Sequence, residues 1–172
     1  EYVCKFYKRN FINAQDTSPI EPVIFEVLEK LKGGYDLIIL LQPTAPIREG
    51  SDIDNVINMF IQDKTLENVV SVVELNDIHP ARMYEVDVSL SMNSLDLEGE
   101  KKRRQDLSPV FLRNGSIYAI TTKYFKETSK LISPNKKAYI MPESKWVNID
   151  TERDLLMAKG LIKLWKEGKL DN

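Results

Sequence analysis

Apolar residues in this chain fall into two kinds of run, and the alternation between them predicts the architecture. Tyr35 to Gln42 (YDLIILLQ) and Asn68 to Leu75 (NVVSVVEL) are near-continuous apolar stretches of strand length. Runs without polar alternation suit strands buried on both faces, as in a parallel sheet covered by helices. Ahead of the first run, Asp16-Thr17-Ser18-Pro19 supplies a cap and a first-turn proline for a helix reaching about Lys32, where Gly33-Gly34 ends it. Between the two runs, Ile53, Val56, Ile57 and Phe60 recur at helical spacing behind Ser51 and Asp54, which resemble a capping box. Helix, strand, helix, strand is the order of an α/β domain.

From about Ile78 to Ser108 that rhythm stops. The segment is polar, charged and short in pattern, and reads as an excursion from the sheet. Gly115 to Thr121 returns as a strand, a short helix follows over about Lys123 to Leu131, and Ala138 to Met141 and Trp146 to Ile149 read as two further strands. Thr151 with Asp154 caps a last helix whose acidic first turn and whose Lys163, Lys166 and Gly168 at the far end match the helix dipole and stop rules. Val3 to Tyr7 is a short strand-like segment at the start.

Composition narrows the partners. With 172 residues, 42% of them hydrophobic, the chain makes one domain with one core. A net charge of −2 and a pI near 5.6 argue against a basic surface for nucleic acid. One cysteine, Cys4, and one histidine, His79, exclude a disulfide framework and a Cys/His zinc cluster, so a metal would be a hard cation on carboxylates. No apolar stretch approaches the roughly 20 residues of a membrane span, and the first residues lack a signal-peptide layout. The expectation is a soluble, cytoplasmic protein.

Candidate chemistry gathers where apolar runs give way to polar residues, because α/β proteins bind ligands beyond the carboxyl ends of their strands. The Gln42 amide is suited to paired donor and acceptor bonds with a base or sugar, or else it closes the strand while Pro43 shapes the turn. Lys101 to Arg104 is a basic cluster whose arginines offer a fork for carboxylate or phosphate, or a solvated surface. His79-Pro80-Ala81-Arg82 reads as a loop. Asp150 follows an apolar run and precedes a capped helix, a place for a magnesium ligand and equally for an ordinary cap.

Taken together and in order, LLQPTAPIR (Leu40 to Arg48), VVSVVEL with HPAR (Val69 to Arg82), RRQDL (Arg103 to Leu107), NGSIY (Asn114 to Tyr118) and NIDTERDL (Asn148 to Leu155) resemble the acylneuraminate cytidylyltransferases, the CMP-sialic acid synthetases. The resemblance implies a three-layer, Rossmann-like nucleotidyltransferase domain over residues 1–172, with a mainly parallel mixed sheet and 78–108 as a protruding dimerisation arm. It implies transfer from CTP to a sialic acid or related nonulosonic acid, giving CMP-sugar and pyrophosphate, with magnesium as cofactor and a homodimer as assembly. It gives Asp150, Arg82 and Arg104 catalytic places, and Gln42, Arg104, Asn114 and Tyr118 substrate contacts. Asp150 would hold the metal with Asn148 as a weaker ligand, since the family commonly has aspartate at the Asn148 position.

The family also opens with a strand and a glycine-rich basic loop that cradles the CTP phosphates. No such loop is present here, so the chain is expected to be incomplete at its amino terminus and inactive alone. Two other readings stand beside this one: a different sugar nucleotidyltransferase, and a non-catalytic binding or assembly module of the same fold.

Overall fold

The computed structural model describes residues 4–170. Its elements are α1 (Glu21–Leu31), β1 (Leu37–Leu40), α2 (Gly50–Gln62), β2 (Asn68–Leu75), β3 (Tyr84–Val86), β4 (Met92–Ser94), α3 (Leu97–Glu100), β5 (Val110–Thr121), α4 (Thr122–Thr128), β6 (Lys136–Met141) and α5 (Glu152–Lys166). Four strands form the main sheet in the order β1-β5-β2-β6, and β3 and β4 form a separate two-stranded hairpin. The sheet is mixed: β5 runs antiparallel to both β1 and β2, while β2 and β6 are parallel. Three of its four strands therefore point the same way, so Leu40, Leu75 and Met141 end at one edge.

Two apolar layers flank the sheet. On one face Val56 and Leu66 pack with Val69, Ile117 and Ala119, beneath α2. On the other, Ile24 of α1 and Phe125 of α4 pack on Ile120, with the rings of Phe25 and Phe125 4.7 Å apart. A third cluster, Ile47, Val147 and Ala158, joins the loop after β1 to α5. Helices on both faces of a sheet make the expected three layers. Among the described residues, no helix is long and apolar enough to cross a membrane.

Several local expectations are corrected. Of the strand-like start, Val3 lies outside the described residues, and Cys4 to Tyr7 form no strand. Helix α1 starts at Glu21 without a side-chain cap, because Ser18 is used earlier: its hydroxyl donates to the Ile12 carbonyl at 2.9 Å and accepts from the Gln15 N–H at 3.2 Å. The capping box of α2 is Glu49 with Asp52, two residues ahead of Ser51 and Asp54. Tertiary partners on Glu49 decide this, as the Trp165 indole N–H donates to it at 3.2 Å. Trp146 to Ile149 is not a strand; the Ile149 N–H donates to the Thr44 carbonyl at 2.9 Å. Residues 37–40 are only partly buried, since β1 pairs with β5 alone among the described residues. The capping box of Thr151 and Asp154 is as expected.

Residues 78–108 do leave the sheet. They carry the hairpin, α3 and the 3-10 turns Pro80–Arg82 and Arg104–Asp106, with Val86, Val88, Leu90, Met92, Leu95 and Leu97 exposed.

Candidate functional site

The site is organised by an irregularity in β5. Between the pairs Val70 with Tyr118 and Val72 with Arg113, β2 advances two residues while β5 advances five. The surplus makes a bulge at Asn114-Gly115-Ser116-Ile117. Val70 and Val72 share one face of the sheet, and cross-strand partners share a side. Arg113 and Tyr118 thus come to the same face, where plain alternation would have put them on opposite ones.

Most polar groups freed by the bulge are met, although the Ser116 hydroxyl is buried without a hydrogen-bond partner. The Ser71 hydroxyl accepts from the Ile117 N–H at 2.7 Å and donates to Asn114 Oδ1 at 2.6 Å, which also accepts from the Ser116 N–H at 3.2 Å. Asn114 Nδ2 points at Met141 Sδ, 3.2 Å away. Arg48 closes the remaining side, donating from Nη1 to the Ser116 carbonyl at 2.6 Å and from Nη2 to the Gln42 carbonyl at 2.8 Å. Burial pulls the Arg48 guanidinium below its usual value, though an arginine so placed keeps its charge. Asn114 accordingly lies buried under the site, and it is the brace of the bulge.

Above this brace, the loop after β1 and the loop before α5 meet over Gly115. Gly115 has φ +74°, and a Cβ there would stand 2.7 Å from Gln42 Oε1 and 3.5 Å from Asn148 Oδ1. The conformation favours glycine, and a side chain there would displace the Gln42 amide oxygen. Asn148 Nδ2 donates to Asp150 Oδ2 at 2.6 Å, while Asn148 Oδ1 is buried without a hydrogen-bond partner. The carboxylate of Asp150 takes no part in the α5 cap. That task falls to Asp154, whose Oδ2 accepts from the N–H groups of Thr151 at 2.9 Å and Asp150 at 3.2 Å. Bonds from Thr151 and Asp150 hold the Asp154 carboxyl below its usual range, so it stays a charged acceptor.

Gln42 and Tyr118 line one cleft of about 450 Å³ with Leu40 and, from the helix side, Glu21 and Lys130; Arg113 completes it. Arg113 and Lys130 were not singled out from the sequence. The bulge that brings Arg113 to this face has no signature in residue pattern beyond Asn114-Gly115.

The remaining predicted residues sit elsewhere. Arg104 borders a second cleft of about 400 Å³ at the end of β2, with His79 and Gln105. Its Nη2 pairs with Asp77 at 2.6 Å and its Nε donates to the Asn76 carbonyl at 3.1 Å. His79 Nδ1 accepts from the Ala81 N–H at 3.0 Å, which assigns the proton to Nε2, 3.1 Å from the Ser108 carbonyl. Arg82 is engaged within the arm, donating to the carbonyls of Glu100 at 3.1 Å and Lys102 at 2.7 Å at the end of α3. The structure thus brings Gln42, Tyr118, Asn148 and Asp150 around Gly115 and one neighbouring cleft, and leaves Arg82 and Arg104 on the arm side.

No family profile matches the chain. It is 27% identical over 162 residues to post-translational flagellin modification protein B of Campylobacter coli, covering 92% of this chain and 68% of that protein. It is 28% identical over 158 residues to the CMP-N,N'-diacetyllegionaminic acid synthase of Legionella pneumophila, covering 90% and 67%. Against the pseudaminic acid cytidylyltransferase of Campylobacter jejuni strain 81-176 it is 26% identical over 152 residues, covering 88% and 64%. The chain thus spans about two thirds of the length of these relatives. The solved CMP:2-keto-3-deoxy-manno-octonic acid synthetase, complexed with CTP, superposes with a TM-score of 0.58 at 16% identity, over 86% of this chain and 69% of that one. The chain has a cytidylyltransferase fold.

Proposed function

We propose that this chain is the sugar-side portion of a cytidylyltransferase that joins CTP to a nonulosonic acid. The observation that carries the reading is the cleft holding Gln42 and Tyr118 at the carboxyl edge of the sheet, in a chain whose relatives are named for this chemistry. The sugar hydroxyl oxygen attacks the α-phosphorus of CTP, the bond to pyrophosphate breaks, and the hydroxyl proton passes to solvent. Such a reaction asks mainly for alignment and for charge stabilisation. Gln42 and Tyr118 offer donors and acceptors that orient the sugar, and the Arg48 brace keeps the Gln42 loop against β5.

Magnesium fits the residues present. It is typically held by one or two carboxylates with water and substrate phosphates. Asp150 has one carboxylate oxygen outside the Asn148 bond to offer such an ion, and the buried Asn148 Oδ1 has no hydrogen-bond partner. The ion would neutralise phosphate charge when bound. Asp150→Asn is expected to lower turnover about a hundredfold, with little change in unfolding, since Thr151 and Asp154 form the cap. Pyrophosphate release from CTP and a panel of nonulosonic acids, across a magnesium titration, is the measurement. Both are assayed in a longer protein that also supplies the phosphate-binding loop: wild-type rates in the variant would refute the metal role, and no release by the unmodified longer protein would favour a non-catalytic module.

We also propose a homodimer through residues 78–108. The support is the exposed apolar set on the hairpin and α3, with Val88 and Leu90 at 105% and 80% exposure, a larger apolar display than so short an excursion buries by itself. Light scattering from micromolar concentrations upward should give twice the monomer mass, and Val88→Asp with Leu90→Asp should return it to the monomer value.

A further inference from the structure

We infer that Arg113 and Lys130 seat the carboxylate of the sugar acid, in the cleft they share with Gln42 and Tyr118; this rests on the reading above and adds the group by which the substrate is held. The cleft is lined by polar side chains that have no protein partner. Glu21, Gln42, Arg113, Tyr118 and Lys130 all line it, and none of their side chains has a hydrogen-bond or ion-pair partner among the described residues. Arg48 is occupied by two carbonyls, Arg82 by the arm backbone, Arg103 by Asp106, and Arg104 by Asp77 and Asn76. Unlike these four, Arg113 presents a free fork, the geometry that pairs best with a carboxylate.

Charge decides which part of the substrates belongs here. Two cations against Glu21 leave the cleft with one net positive charge, which matches a monoanionic sugar acid and falls far short of a nucleoside triphosphate. Apolar walls from Ile20, Leu40 and Leu131 suit the carbon face and acyl groups of such a sugar. Glu21, an acceptor when ionised, is placed for sugar hydroxyl donors. The β5 bulge supplies the alignment, because without it Arg113 would point to the opposite face.

The test is direct binding by calorimetry to the unmodified protein and to Arg113→Gln, Arg113→Lys and Lys130→Met. The probes are N-acetylneuraminic, N,N'-diacetyllegionaminic and pseudaminic acids, each beside its methyl ester, and CTP. At least one acid should bind more tightly than its ester, and Arg113→Gln should weaken that acid about tenfold or more while leaving the ester unchanged. Arg113→Lys should recover part of the loss, Lys130→Met should lose less than Arg113→Gln, and CTP affinity should stay within about twofold throughout. Equal affinity for acid and ester, no binding of any acid, an Arg113→Gln protein that binds acids normally, or a parallel loss of CTP affinity would overturn the inference. Carboxylate-dependent binding, with no pyrophosphate release by a longer protein that supplies the phosphate-binding loop, would leave this seat standing and refute the enzyme reading. Turnover indifferent to Arg113 would do the reverse.

Discussion

Gly115→Ala is expected to cost about 1–2 kcal/mol of stability from its left-handed backbone alone, and to damage the site more than the fold. The residue holds φ +74°, and the added methyl would press on Gln42 Oε1 at 2.7 Å. That oxygen is the far end of a flexible side chain, so it gives way and leaves the position from which Gln42 reaches the cleft. Substrate affinity should therefore fall about tenfold, as when a charged or strongly oriented hydrogen bond is removed. Urea unfolding and KM for each substrate separate the two effects. In a Gln42→Ala background the stability cost of Ala at 115 should shrink to the backbone portion, and an undiminished cost there would show that the contact with Gln42 is not the cause.

Lys145→Ala should have the largest effect on stability, about 3 kcal/mol. Lys145 is buried, with its side chain 4% exposed, and its Nζ lies 3.3 Å from Glu49 Oε2 and 3.6 Å from Asp52 Oδ2. Asp52 is nearly as buried, and its other oxygen accepts from the Tyr139 hydroxyl at 3.0 Å. Burial raises the Tyr139 phenol above its usual value, which keeps that proton in place. The Trp165 indole, and after it Lys145, hold Glu49 below the ordinary carboxylate value. Removing the ammonium leaves Asp52 buried against a second carboxylate, and the penalty is that of an uncompensated charge more than of a lost attraction. Thermal unfolding of Lys145→Ala alone and with Asp52→Asn is the check: the second change should restore part of the loss. A cost below about 1 kcal/mol would place these groups with ordinary surface pairs.

What could be read from the chain beforehand was decided by how local each cause is. The capping box at Thr151 and Asp154 was legible because both partners lie within four residues and nothing distant competes for them. The start of α2 was not, since Glu49 is chosen by Trp165 and Lys145, which stand about a hundred residues away in sequence. Gln42, Tyr118 and Asp150 could be named as candidates through strand ends and motif order, and the structure places Gln42 and Tyr118 in one cleft. Arg113 could not, because its facing depends on counting residues through a bulge that no alternation of apolar and polar positions announces. Asn114 was legible as special, yet its use is to satisfy Ser71, Ser116 and Met141 inside the protein.

The bulge also divides β5 into two lengths that answer to different demands. From Ile117 to Thr121 the strand is interior, and each residue is tied by the pleat to the packing of β1, β2 and the helices. From Val110 to Arg113 it is rim, where no residue is fully buried. A brace made of Ser71, Asn114 and Arg48 insulates one length from the other. Substitutions at the rim can therefore reshape the cleft without passing strain into the core.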